Sequence, residues 1–100
     1  MALRIAQDSR YRGDDSWFWS VWLEGPDEEL DDVDQVVYTL HRTFPDPVRT
    51  VTARATKFRL AAHGWGTFRL YAKVVKRGGT AVKLHHDLDL RYPGGEATLA

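Results

Sequence analysis

The sequence predicts an all-β chain folded as an immunoglobulin-like β-sandwich of seven to eight antiparallel strands. Three observations carry that reading. Apolar residues recur at every second position through most of the chain, which is the period of half-buried strands. Turn signals punctuate these runs every ten residues or so. The length, 100 residues of which 43% are hydrophobic, suits one domain with a single core. Short strands and turns at that spacing are what a sandwich of this class is built from.

Taken in order, "WFWSVWLEG" (Trp17 to Gly25) is apolar at both parities, so it reads as a central strand covered on each side. "EELDDVDQVV" has room for one helical turn near Leu30 before the next strand. "TKFRLAA" turns Phe58 and Leu60 inward between charges. "FRLYAKV" puts Phe68, Leu70, Ala72 and Val74 on one face, with Arg69, Tyr71 and Lys73 on the other. "KRGGT" then joins it to "VKLHHDLDLR" through Gly78–Gly79, a hairpin signal. In that last run Val82, Leu84, His86, Leu88 and Leu90 face inward. "GPD", "FPDP", "HGWG" and "YPGG" mark further turns. Residues 1–92 read as the domain and 93–100 as a tail or the start of a linker. The ending "PGGEATLA" implies an effector domain elsewhere in the same chain.

No apolar run approaches 18 residues and no basic-then-apolar leader opens the sequence, so neither a membrane span nor a signal peptide is expected. The absence of cysteine excludes disulfides and thiolate chemistry and fits a cytoplasmic location. Net charge is zero, yet residues 1–50 hold 5 basic and 11 acidic side chains, and residues 51–100 hold 9 and 3. Much of the acidic excess lies in "PDEELDDVD", Pro26 to Asp34, which reads as a solvated segment. The basic residues alternate with core positions and form no dense patch, so nucleic acid is not an expected partner.

Enzyme chemistry finds no support. A nucleophile needs an activated hydroxyl or thiol beside an oriented base, and the chain's serines are only Ser9, Ser16 and Ser20, with no GxSxG turn. His85 and His86 are adjacent on a strand, so their rings point to opposite faces. A His41/His63 pair lacks a third ligand. "GWG" is followed by no helix that would hold a phosphate. No catalytic residue, metal or cofactor is expected.

Two aromatics stand apart. Phe44 and Trp65 lie in turn sequence, where binding residues concentrate. Gly64 and Gly66 permit positive φ and close approach around Trp65. Pro45 and Pro47 stiffen the other loop. Two rings on rigid loops at one end of a sandwich make either a narrow slot for a flat group or a plug for the open end of the core.

The stretch from Trp17 to Arg91, with "LHRTFPDP" and "GWGTF" as its specific motifs, resembles a YEATS domain. It looks most like the prokaryotic branch, whose members carry a tryptophan in the "GWGTF" loop. The resemblance implies an immunoglobulin-like fold and a non-enzymatic reader module, in which an acylated lysine enters between two aromatic rings. By that likeness Phe44 and Trp65 would be the two rings. Thr43 would stand where a serine hydroxyl bonds the acyl-lysine amide, and His41 would line the same pocket. The backbone around Trp65 and Gly66 would offer an N–H to the acyl carbonyl. "GDDSW" places Asp14 or Asp15 where eukaryotic members often have a further aromatic. The implied partner is an acylated lysine peptide or a small acyl ligand. The competing expectation is an interaction or sensor module of a larger effector protein, with no acyl-lysine binding.

Overall fold

The computed structural model describes residues 3–64 and 66–91. Among them, seven strands paired antiparallel make two sheets, as the alternation predicts. The first sheet has the order β1 (Arg4–Gly13), β2 (Ser16–Glu24), β5 (Leu60–Gly64). The second has the order β4 (Val48–Val51), β3 (Val33–Thr39), β6 (Arg69–Lys76), β7 (Ala81–Asp87). The expected tail at 93–100, and with it the domain boundary, lies outside the described residues.

The β1–β2 hairpin turns on Asp14 and Asp15, both in the left-handed region at φ 55° and 54°. Two successive positive φ values match the twist of a two-residue hairpin, and aspartate tolerates them better than most residues. The Tyr11 hydroxyl accepts the Asp15 N–H at 3.2 Å. In the β6–β7 hairpin Gly79 takes φ 90°, and Lys76 N–H reaches Thr80 O at 2.8 Å. The Gly-Gly signal in the sequence marks this turn correctly.

The helical turn near Leu30 is present as α1 (Asp27–Asp31), with Leu30 buried beneath it. Asp27, Glu28 and Glu29 in its first turn favour the helix dipole. Arg54 holds Asp31 at 2.9 Å and Asp27 at 3.5 Å, so part of the acidic segment is spent on tying the α1 turn to the 3₁₀ turn Arg54–Thr56.

Between the sheets lie Trp17, Trp19, Val21 and Leu23 of β2, facing Val36, Tyr38, Leu70 and Val74 of the second sheet. Phe58 enters the core from a loop rather than from a strand. Lys57 and Phe58 are both left-handed, at φ 57° and 59°, and β5 starts only at Leu60. The period-two reading of "TKFRLAA" therefore gives the correct burial for Phe58 through the wrong backbone. The Phe58 N–H to Ala53 O bond and the Leu23 N–H to Lys57 O bond, at 3.0 and 2.9 Å, hold the loop in place.

A second expectation fails at β2. Its inner face is buried, but the outer face is not covered by another layer: Phe18 is 49% exposed and Trp22 is half-buried. Arginines on the flanking segments supply what shielding there is. The Arg12 guanidinium lies 4.7 Å from the Phe18 ring centre and that of Arg59 lies 4.8 Å from Trp22.

Candidate functional site

At one end of the sandwich the loop from Leu40 to Pro47 meets the end of β5 and the start of β6. The loop is closed at its base, where Leu40 N–H donates to Pro47 O at 2.7 Å. Inside it Phe44 N–H donates to His41 O at 3.0 Å, and Asp46 takes φ 47°. Arg49 clamps it from β4, with Nη2 on Pro45 O at 2.9 Å and Nε on Asp46 O at 3.1 Å. A loop with this many internal bonds loses little freedom when it grips a ligand.

His41 Nδ1 lies 2.9 Å from Thr43 Oγ1 and receives the Thr43 backbone N–H at 3.3 Å. Because a backbone N–H only donates, Nδ1 accepts, and the ring proton sits on Nε2. The Thr43 hydroxyl then donates to the same nitrogen, leaving its oxygen lone pairs for a ligand's donor.

Phe44 is half-buried and packs on a ring cluster. Its centroid lies 6.0 Å from that of Trp19 at 84°, and 5.4 Å from that of Phe68 at 54°. Trp19 and Phe68 stand 5.8 Å apart, and His41 sits edge-on to Phe68 at 6.2 Å. A Cβ added to Gly64 would come within 3.3 Å of Phe44 Cζ. Close approach is therefore the reason for glycine at 64: its φ is not positive, contrary to part of the sequence expectation.

These groups border an open cleft of about 490 Å³. His41, Thr43 and Phe44 line one side, and Gly64 and Gly66 line the other. Five of the six expected site residues are thus brought together. Trp65, the sixth, lies outside the described residues.

The cleft also takes in residues the sequence reading does not assign to it: Ser16, His63, Thr67 and Phe68. Phe68 follows the inward register and was expected in the core, but it is only partly buried and forms part of the cleft wall. The signal that would place it there is its position three residues after Trp65 and just ahead of β6. Beneath the cleft the Trp19 indole N–H is buried with no hydrogen-bond partner among the described residues, a rare state for such a donor. Among the described residues no group of three or more His, Cys, Asp or Glu is arranged to hold a metal, and no helix is long and apolar enough to cross a membrane.

Residues 17–89 match the family model of the prokaryotic YEATS domain. Among curated proteins, an AF-9 homolog of Eremothecium gossypii is 40% identical over 58 residues, covering 56% of this chain and 27% of its own length. The AF-9 homolog of Saccharomyces cerevisiae is 38% identical over 58 residues, covering 56% and 25%. This chain spans about a quarter of the length of these two relatives. Among solved structures, the Yaf9 YEATS domain bound to H3K27ac superposes with a TM-score of 0.73 at 24% identity, covering 96% of this chain and 78% of that one. Yeast AF-9 homolog protein Yaf9 superposes at 0.70 with 25% identity, covering 92% and 66%.

Proposed function

Because this chain belongs to the prokaryotic YEATS domain family, we propose that its cleft reads acylated lysine. The module is a reader and not an enzyme. The observation that carries the proposal is the convergence of the Thr43 hydroxyl, held by His41 at 2.9 Å, with the Phe44 ring beside Gly64 and Gly66. An acylated lysine is neutral and planar at its amide, so it stacks on a ring without the desolvation cost of an ammonium. The Thr43 oxygen accepts the amide N–H. Trp65 serves as the second ring, and the backbone at Trp65 and Gly66 donates to the acyl carbonyl. A solved relative, the Yaf9 YEATS domain, is bound to H3K27ac in one structure and recognises an H3K122suc peptide in another, which supports an acyl group as the occupant. Short acyl amides outside a peptide fit the same chemistry. The proposed setting is the cytoplasm, beside an effector domain in the same chain.

The half-buried packing of Phe44 on Trp19 and Phe68 is the observation that favours the second reading, a closed interaction module. Titration of acetyl-lysine, crotonyl-lysine and unmodified-lysine peptides, followed by tryptophan fluorescence, separates the two. Saturable binding of acylated peptides alone, lost in Trp65→Ala and in Thr43→Val, is the expected result. A folded wild type that binds none of them refutes the reader.

A further inference from the structure

The outer face of the β1–β2–β5 sheet carries a second groove of about 380 Å³. Its floor is the row of small residues Ser20 and Ala61, which sit opposite each other across the β2–β5 pair. Phe18 rises on one side of that row, between the Arg12 guanidinium at 4.7 Å and the His63 ring at 6.2 Å. Trp22 rises on the other, under Arg59.

The charge of this face is lopsided. Arg59 is paired with Asp8 at 3.1 Å, whereas Arg10 and Arg12, beside Phe18, have no ion-pair partner among the described residues. A guanidinium stacked on a ring keeps its N–H fork available for a carboxylate.

The groove also adjoins the cleft. His63 lines the cleft and packs against Phe18, so one ridge separates the two depressions. Ser16, Phe18 and Ser20 follow one another on the same face of β2, and Ser16 lines the cleft while Ser20 lies in the groove. Four residues of strand, at roughly 3.3 Å each, span about 13 Å. An extended peptide covers that distance in about four residues.

We infer that the Phe18–Arg10–Arg12 face is a docking surface for an acidic peptide segment with an apolar side chain, a few residues away from the acylated lysine held in the cleft. The inference rests on the reading of the cleft as a lysine slot. It deepens that reading by naming the substrate class: acylated lysine in an acid-rich context, not in a basic tail. Nucleic acid fits the face less well. Asp8 and Glu24 interrupt it, and the two unpaired arginines cluster at one ring instead of tracking a phosphate backbone.

The test is fluorescence anisotropy with labelled peptides carrying a central lysine, each made with and without its acetyl group. The flanks two to five positions away are Glu and Phe, Gly and Ser, or Lys and Phe; oligothymidylate is a further probe. Acid-flanked acetylated peptide should bind about tenfold more tightly than the neutral-flanked one, the size of effect two charge-assisted contacts give on a partly solvated face. Arg10→Glu/Arg12→Glu should erase that gain while leaving the neutral-flanked affinity unchanged, and Phe18→Ser should reduce the gain. Equal affinity for acidic and neutral flanks overturns the inference, as does a gain that survives the double variant. Tighter binding of lysine flanks, or of oligothymidylate through the same arginines, also overturns it. Absence of any acetyl dependence would refute the lysine slot separately, and the acid-versus-neutral difference on the unmodified peptides would still decide the groove.

Discussion

Two aromatic clusters share one sandwich and are finished in opposite ways. In the first, Trp17, Tyr38 and Phe58 are fully buried, and their polar atoms are paired: Tyr38 O–H donates to Phe58 O and Trp17 Nε1–H to Arg91 O, each at 2.7 Å. Burial drives the Tyr38 phenol well above its usual range. In the second, around Trp19, Phe44 and Phe68, a buried indole N–H has no partner among the described residues, a ring is half-exposed and a hydroxyl faces an open cleft. Both clusters are equally aromatic. Polar satisfaction and access, not hydrophobicity, distinguish packing from a site.

Truncation is the harshest way to break that comparison. Phe58→Ala empties a sealed position and should cost about 3–5 kcal/mol in urea unfolding, enough to threaten a domain whose whole stability is about 5–15 kcal/mol. Phe44→Ala removes a ring of the same size that is already partly in water, so about 1–2 kcal/mol is expected, with acyl-peptide binding lost. Equal costs at the two positions would mean that Phe44 is a plug and the cleft is closed. A smaller probe is Tyr38→Phe, which deletes one hydroxyl and leaves the Phe58 carbonyl without its partner. It should cost about 1–3 kcal/mol and leave peptide binding untouched.

How far the sequence reveals these differences depends on the backbone. Alternation exposes the inward faces of β6 and β7, because a period of two has one solution per strand. The same logic finds Phe58 by luck, since two left-handed residues and a 3₁₀ turn happen to deliver it to the core. β1 leaves almost no apolar trace: of its ten residues only Ile5 is buried, because its outer face is solvated and its inner face is lined by Gln7 and Ser9. The cleft is legible in "LHRTF", since an internally bonded loop brings its side chains together whatever lies around it. Phe68 and Ser16 are not, because they join the cleft only through the pairing of distant strands. The open outer face around Phe18 is hidden for a related reason. A strand apolar at both parities looks the same whether a second layer or two arginine stems cover it.

The smallest effect concerns the seam between the sheets, where half-buried and exposed polar groups, unlike the Trp19 indole, find partners among the described residues. Gln7 of β1 bonds both backbone groups of Asp89, with Nε2 on the carbonyl at 2.7 Å and Oε1 taking the N–H at 2.8 Å. That oxygen also meets His86 Nε2 of β7 at 2.6 Å, so the ring nitrogen must be the donor. Burial lowers the His86 pKa from its usual value, and the Asp87 and Asp89 carboxylates oppose that shift without cancelling it. The unfolded chain therefore binds this proton more readily than the folded one. Stability from this group is fully present above the unfolded histidine value of about 6.5 and declines as pH falls from there toward the folded value. Melting temperature followed from pH 8 to pH 5 should fall in this window, and His86→Asn should flatten that part of the profile. The carboxylate of Asp87, held low by its bond to Arg69, titrates further down and leaves the window to the histidine. A profile unchanged by the substitution would show that the seam is open to water. The contrast between satisfied and unsatisfied polar groups would then have to rest on Tyr38 and Trp19 alone.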